Sequence, residues 1–299
     1  MIATVDVSFE RFLCYLQSYL EKSTELTTHR CCHKRFTNVV SGDMSLKRFT
    51  VKHLRQFRDY LISESLSRKT IREYLNKTIR WIGFAWEQGE VSQETFLACK
   101  NLWMPNPRQG RPAAKTVAVK WSDIVLILPY LSQTVANLLQ LHWYTGSRPN
   151  EIVQINSNDL ETVSPDLTLW HLKTHKGSWR GEDRTLFLGG PAMSILQGMK
   201  PSTKGYYFPS VQNKKGFISR LTYQRLVKKC TVVLTANGII KNPSEWTIRG
   251  IRNGRAKQVQ QCQGIEAARV LLGHTSQAMT SHYVGNSMAS PELIKAINF

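Results

Sequence analysis

"LLGHTSQAMTSHY", Leu271 to Tyr283, is the stretch on which the fold turns. Leu271 and Leu272 close an apolar helical run, and Gly273 is the residue type that ends helices in the left-handed conformation. His274 is left in the corner, and Ser276 can cap a second helix that begins at once. Tyr283 then falls about seven residues into that helix, roughly 10 Å along its axis. A core tyrosine needs no such neighbours. The punctuation instead sets an imidazole and a phenol on opposite sides of one group.

Upstream, "WTIRGIRNGRAKQV" places Arg249 and Arg252 one helical turn apart, so both can face the same pocket. Two forked guanidiniums can hold two oxygens of one phosphate, a task lysine performs less well. Farther back, "YTGSRPNEIVQI" sets Pro149 in the first turn of a helix, with Ile152 and Ile155 facing one way. Arg148 therefore stands at a helix start, where amide donors and the helix dipole favour an anion, and Glu151 can steady its guanidinium. Each segment alone reads as well as a capped or basic surface helix. Their order along one chain carries the weight.

With 299 residues and 41% hydrophobic content, the chain can build one large core or two ordinary ones. Lys and Arg number 40 against 21 Asp and Glu, a net charge of +19. Such an excess favours a polyanionic partner, nucleic acid ahead of an anionic membrane surface. No run approaches the roughly 18 to 20 apolar residues of a membrane span. The opening residues carry Asp6 and Glu10 and lack a cationic region before an apolar run, so a cytoplasmic location is expected, nucleoid-associated on DNA. Six scattered cysteines read as reduced thiols. "CCH", Cys31 to His33, lacks the second spaced pair of a zinc site, and neither a phosphate-binding Gly-rich loop nor a carboxylate cluster is evident. No metal or other cofactor is expected.

The N-terminal part, 1–105, reads as a helical domain. In "SRKTIREYLNKTIRWIGFAWEQG", Ile71, Leu75, Ile79, Ile82 and Ala85 form one stripe, with the cations Arg72, Lys77 and Arg80 off it and Gly89 as a stop. The next segment, "NPRQGRPAAKTVAVK" (106–120), holds two prolines, four basic residues and no acid. It reads as a linker whose Arg108, Arg111 and Lys115 suit a phosphate backbone. The remainder, 121–299, mixes helices with a hairpin. "DIVLILPYLSQTVANLLQLHWYTG" reads as helical throughout, and "LTLWHL" and "RTLFL" read as paired strands. Their polar tip carries Lys173, Lys176 and Arg180. The fold class expected is α+β, mainly α with a small β-hairpin or sheet.

Together, "TGSRPNE", "TIRGIRNGRA", "LLGH" and the tyrosine beyond that histidine resemble the tyrosine recombinase (phage integrase) family. The resemblance implies a helical core-binding domain followed by a recombinase-type catalytic domain with a C-terminal tail. It also implies cleavage and rejoining of double-stranded DNA at specific sites. Arg148 and Arg252 would clamp the scissile phosphate, and Tyr283 would form a 3′-phosphotyrosyl link and release a 5′-hydroxyl. His274 would bond a non-bridging oxygen, and Glu151 would support the site from behind. A hairpin lysine, Lys176 or alternatively Lys173, would protonate the leaving oxygen. Arg249 stands where the family usually has histidine; it can donate to a phosphate oxygen but cannot accept a proton near neutral pH. The tail "SPELIKAINF" would pack on a neighbouring protomer, giving a tetramer on DNA. A covalent intermediate conserves the phosphodiester's energy, so rejoining would need no ATP, and arginines can neutralise the charge on the phosphate without a metal. A type IB topoisomerase and a catalytically silent DNA-binding protein are the rival readings.

Overall fold

The computed structural model describes residues 3–18, 23–106, 108–112, 116–175, 178, 181, 183–240 and 246–273. Lys115, Lys176, Arg180, His274, Tyr283 and the tail from Ser290 lie outside the described residues. The chain divides into two compact units, Met1–Ala114 and Lys115–Phe299.

The first unit contains α1 (Val5–Gln17), α2 (Ser23–Phe36), α3 (Val51–Ser63), α4 (Arg68–Glu87) and α5 (Gln93–Lys100). Helix α4 begins where the Ser67 side chain accepts from the Thr70 amide at 3.1 Å, and Gly89 follows its end at φ +70°. The predicted stripe is the buried one: Ile71, Leu75, Ile82 and Ala85 are fully enclosed, whereas Ile79 is partly covered. Trp81 sits at the centre, edge-on to the rings of Phe9 and Phe36. Of the vicinal cysteines in α2, Cys31 is exposed. Cys32 is buried and bonds the Tyr74 carbonyl at 3.3 Å, and burial pushes its thiol up to about 11. It is a packing thiol.

The second unit contains α6 (Trp121–Ile127), α7 (Gln133–Thr145), α8 (Pro149–Ile152), α9 (Gly190–Gln197), α10 (Arg220–Ala236) and α11 (Ile248–Leu272). A three-stranded antiparallel sheet in the order β1 (Leu160–Ser164), β2 (Leu167–His171), β3 (Thr185–Leu188) lies among them. In its register Trp170 faces Leu160 on one side and Leu186 on the other. Leu138, Leu139 and Leu141 of α7 pack with Ile152, Ile155, Trp170, Leu188, Phe208 and Ile251 into one core.

Two features depart from the sequence expectations. The stretch from Asp123 to Gly146 is not one helix: α6 stops at Ile127, a 3₁₀ turn covers Leu128–Tyr130, and α7 starts at Gln133. Pro129 is the cause, because it lacks an amide donor and its ring clashes with the preceding turn. The hairpin also gains a third strand, β1, whose three central residues are all exposed. It shows no alternation of apolar and polar residues, so periodicity gives it no signal.

The described flanks of the basic segment are each held down. Arg111 exchanges backbone bonds with Leu66 and Arg68, both at 3.0 Å, within the first unit. In the second unit the Val119 amide donates to the Gly250 carbonyl at 3.0 Å. A Cβ at Gly250 would lie 2.4 Å from the Val117 carbonyl oxygen, and one at Gly254 would lie 1.7 Å from that of Val119. Two glycines one turn apart thus open α11 to the backbone of residues 117–119, which explains glycines inside a helix they intrinsically weaken.

Candidate active site

The "TGS" of the first arginine segment is a buried corner. Gly146 ends α7 at φ +56°, and Thr145 Oγ1 donates to the Leu141 carbonyl at 2.7 Å and lies 3.0 Å from the Ser147 hydroxyl. Arg148 then caps α8, with Pro149 supplying the first helical residue. Glu151, 2% exposed, accepts from the Arg148 amide at Oε2 and from its guanidinium Nη1 at Oε1, both at 2.7 Å. The spacing seen in the sequence is therefore a bond in the structure.

Glu151 has a second guanidinium partner that sequence reasoning missed. Arg184, buried beside β3, brings Nε to 3.3 Å from Glu151 Oε1 and Nη2 to 3.4 Å from Oε2. Burial pushes the Glu151 carboxyl up, but Arg184, together with the amide and guanidinium of Arg148, outweighs it and holds the carboxyl below its ordinary value. A signal for Arg184 was present. It alternates with the core residues Leu186 and Leu188, so a period of two puts its side chain on the buried face.

Helix α11 brings the second arginine in. Thr247 caps its start through the Gly250 amide at 3.1 Å, and Gly264, at φ +88°, interrupts it. Arg252 is buried and donates from Nη1 to the Gly146 carbonyl at 2.6 Å and from Nη2 to the Leu272 carbonyl at 2.9 Å. Arg184 Nη2 donates to that same Leu272 oxygen at 2.8 Å, and its Nη1 to the Gly273 carbonyl. Gly273 ends α11 at φ +54°, as the sequence predicts. Behind Arg252, His142 is buried with Nδ1 at 3.1 Å from the Tyr223 hydroxyl. Burial first, and the Arg252 charge second, push this imidazole down to about 3, so it is neutral at ordinary pH.

Arg148, Glu151, Arg184 and Arg252 therefore form one connected set, though they come from α8, β3 and α11. Arg249 is exposed on the first turn of α11, whereas Arg252, one turn on, is enclosed. Lys173 is exposed after β2 and pairs with Asp159 Oδ1 at 2.5 Å, which holds its ammonium above the ordinary value. In the first unit Arg68, Lys69, Arg72, Lys77 and Arg80 line an open cleft along α4, and Arg72 also donates to the Pro105 carbonyl at 3.2 Å. Arg108 and Arg111 are exposed. Among the described residues no helix is long and apolar enough to cross a membrane.

The family model of the phage integrase SAM-like domain matches residues 9–101. No curated protein matches the chain in sequence. Among solved structures the chain is similar to lambda integrase, seen as a dimer bound to a COC′ core site and as a tetramer bound to a Holliday junction. The identity is 15% and the TM-score 0.72, over 94% of this chain and 77% of that one. It is also similar to the Tn1549 transposon integrase in complex with circular intermediate DNA, at 13% identity and TM-score 0.70 over 98% of both chains. XerH site-specific recombinase bound to palindromic difH substrate matches at 16% identity and TM-score 0.71, over 94% of this chain and 92% of that one. The chain has the fold of these tyrosine recombinases, mainly helical with a small antiparallel sheet.

Proposed function

We propose that the chain is a site-specific tyrosine recombinase that cuts and rejoins double-stranded DNA through a covalent phosphotyrosyl intermediate. The observation that carries the reading is the bonded set joining Arg148 to Arg252 through Glu151, Arg184 and the Leu272 carbonyl. Those arginines come from segments about a hundred residues apart, and an ordinary basic surface has no cause to connect them through a buried carboxylate and a buried guanidinium.

In the proposed reaction Arg148 and Arg252 neutralise the charge that grows on the equatorial phosphate oxygens. The Tyr283 hydroxyl oxygen bonds to phosphorus and gives up its proton to solvent while the bond to the 5′-oxygen breaks, and the 5′-oxygen takes a proton from a hairpin lysine. Lys176 fills that role better than Lys173, which is engaged by Asp159. His274, which directly follows the Gly273 cap, donates to a non-bridging oxygen. Attack by the 5′-hydroxyl of a second strand then reverses the step and frees the tyrosine, with no nucleotide consumed. The neighbours crystallised on DNA, and the lambda integrase tetramer among them, support a DNA substrate and assembly on it for this chain.

A suicide substrate nicked beside the cleavage position tests the reading, because an active enzyme becomes trapped on it. The unaltered chain should give a denaturant-resistant protein–DNA adduct, and Tyr283→Phe should bind the same DNA and give none. A normal adduct from Tyr283→Phe removes that residue from its role. Binding without adduct by the unaltered chain favours the catalytically silent alternative, and relaxation of supercoils without recombinant product favours the topoisomerase.

A further inference from the structure

Arg184 is a buried guanidinium that contacts both halves of the arginine set. Toward α8 it meets both oxygens of Glu151, at 3.3 and 3.4 Å, the same carboxylate that holds Arg148. Toward α11 it donates to the carbonyls of Leu272 and Gly273. There is no slack at that contact: a Cβ at Gly273 would lie 2.6 Å from Arg184 Nη1. The guanidinium edge thus meets the last two described carbonyls of the chain's α11 corner.

Burying a guanidinium in this way is poor economy for stability alone, since an apolar side chain at such a site often serves as well or better. Leu186 and Leu188 are what the rest of the same strand face uses. A planar fork does what leucine cannot: it fixes a carboxylate and two carbonyls in one rigid geometry.

We propose that Arg184 is a positioning residue that joins the Arg148–Glu151 pair to the end of α11, setting the spacing between the first arginine and the Gly273 cap. The proposal rests on the strand-exchange reading. Arg184 acts through Glu151 and through the Leu272 and Gly273 carbonyls. DNA affinity, summed over many phosphate contacts, depends little on it. The rate of the chemical step depends on it strongly, because a displacement of about 1 Å in such a site costs roughly 100-fold.

The test uses the full chain and the nicked substrate, with the single-turnover rate of adduct formation followed against protein concentration. This separates the rate at saturation from the half-saturating concentration. Arg184→Met should lower the saturating rate roughly 100-fold and leave half-saturation within about threefold. Arg184→Lys should recover about a tenth of the original rate, because an ammonium still links the carboxylate to one carbonyl. Leu186→Ala, from the same buried face, serves as the control for destabilisation: its melting temperature should fall while its saturating rate stays near normal.

The proposal is overturned if Arg184→Met reacts at the unaltered rate, if only its half-saturation moves, or if Leu186→Ala loses as much rate for the same loss of stability. Should Arg184→Met not fold, Arg184→Lys decides: a loss of about tenfold at saturation supports the role, and an unchanged rate overturns it. No adduct from the unaltered chain is a different failure. It removes the strand-exchange reaction itself, and with it anything for Arg184 to position.

Discussion

Arg184 and Arg252 donate to one oxygen, the Leu272 carbonyl, at 2.8 and 2.9 Å. Two guanidiniums brought that close repel each other, and the place where they meet offsets the repulsion. Leu272 is the last residue of α11, where unpaired carbonyls carry the negative end of the helix dipole. The helix terminus therefore holds both cations with no carboxylate of its own.

Glu151 makes the arrangement sensitive to acid. Its folded pKa is depressed, so its contribution to stability is present above the ordinary carboxylate value of about 4.3 and is lost as pH falls through the lower folded value. Glu151→Gln should lower stability at neutral pH by about 3 kcal/mol and flatten the acid limb below pH ~4.3. His142, kept neutral in the fold down to about 3, adds its own loss from pH ~6.5 downward. Because both chains carry His142, whose imidazole Glu151 itself pulls upward, the difference between their denaturation curves reads the carboxylate together with that coupling. Identical acid limbs would contradict the geometry described.

Gly254 tests the contact between α11 and the segment before α6. A Cβ there would meet the Val119 carbonyl oxygen at 1.7 Å, and a backbone atom cannot swing aside. Gly254→Ala should therefore destabilise by about 1–3 kcal/mol, although alanine is the better helix former. Chemical denaturation reads this directly, and a stabilised variant would refute the packing.

Helix α4 offers a prediction in salt. Lys77 lines the basic cleft and is half-buried. If that cleft takes DNA, Lys77→Gln should weaken binding to all sequences alike and reduce the slope of log affinity against log salt by about 0.9. An unchanged slope would place the phosphate backbone elsewhere.

Removal of Ser290 to Phe299 addresses assembly. The deletion should leave binding to a single site intact and weaken the higher-order complex on paired sites, as read by gel shift. Unchanged synapsis would argue against a role for the tail between protomers.

What the sequence revealed and what it hid follow one physical division. Local signals were readable: the α4 stripe, Pro149 opening α8, the Arg148–Glu151 spacing and the Gly273 stop all depend on residues within a turn or two of each other. Arg184 depends on carbonyls 88 and 89 positions away, and a carbonyl is the same whatever residue carries it. No spacing of side chains encodes such a partner. Only the alternation with Leu186 and Leu188 hinted that this arginine pointed inward. Strand β1 escaped for the opposite reason, because its pairing rests on backbone bonds while its three central side chains face water.

The seam between Val119 and the two glycines of α11 also decides where the polypeptide can be dissected. A truncation opening at Trp121, the first residue of α6, would strip out the ribbon that fills that seam, and with it the backbone bond from Val119 to Gly250. The usable frontier of the second unit lies upstream of Val117. A shorter fragment would forfeit the helix that carries Arg252 before any DNA is offered to it.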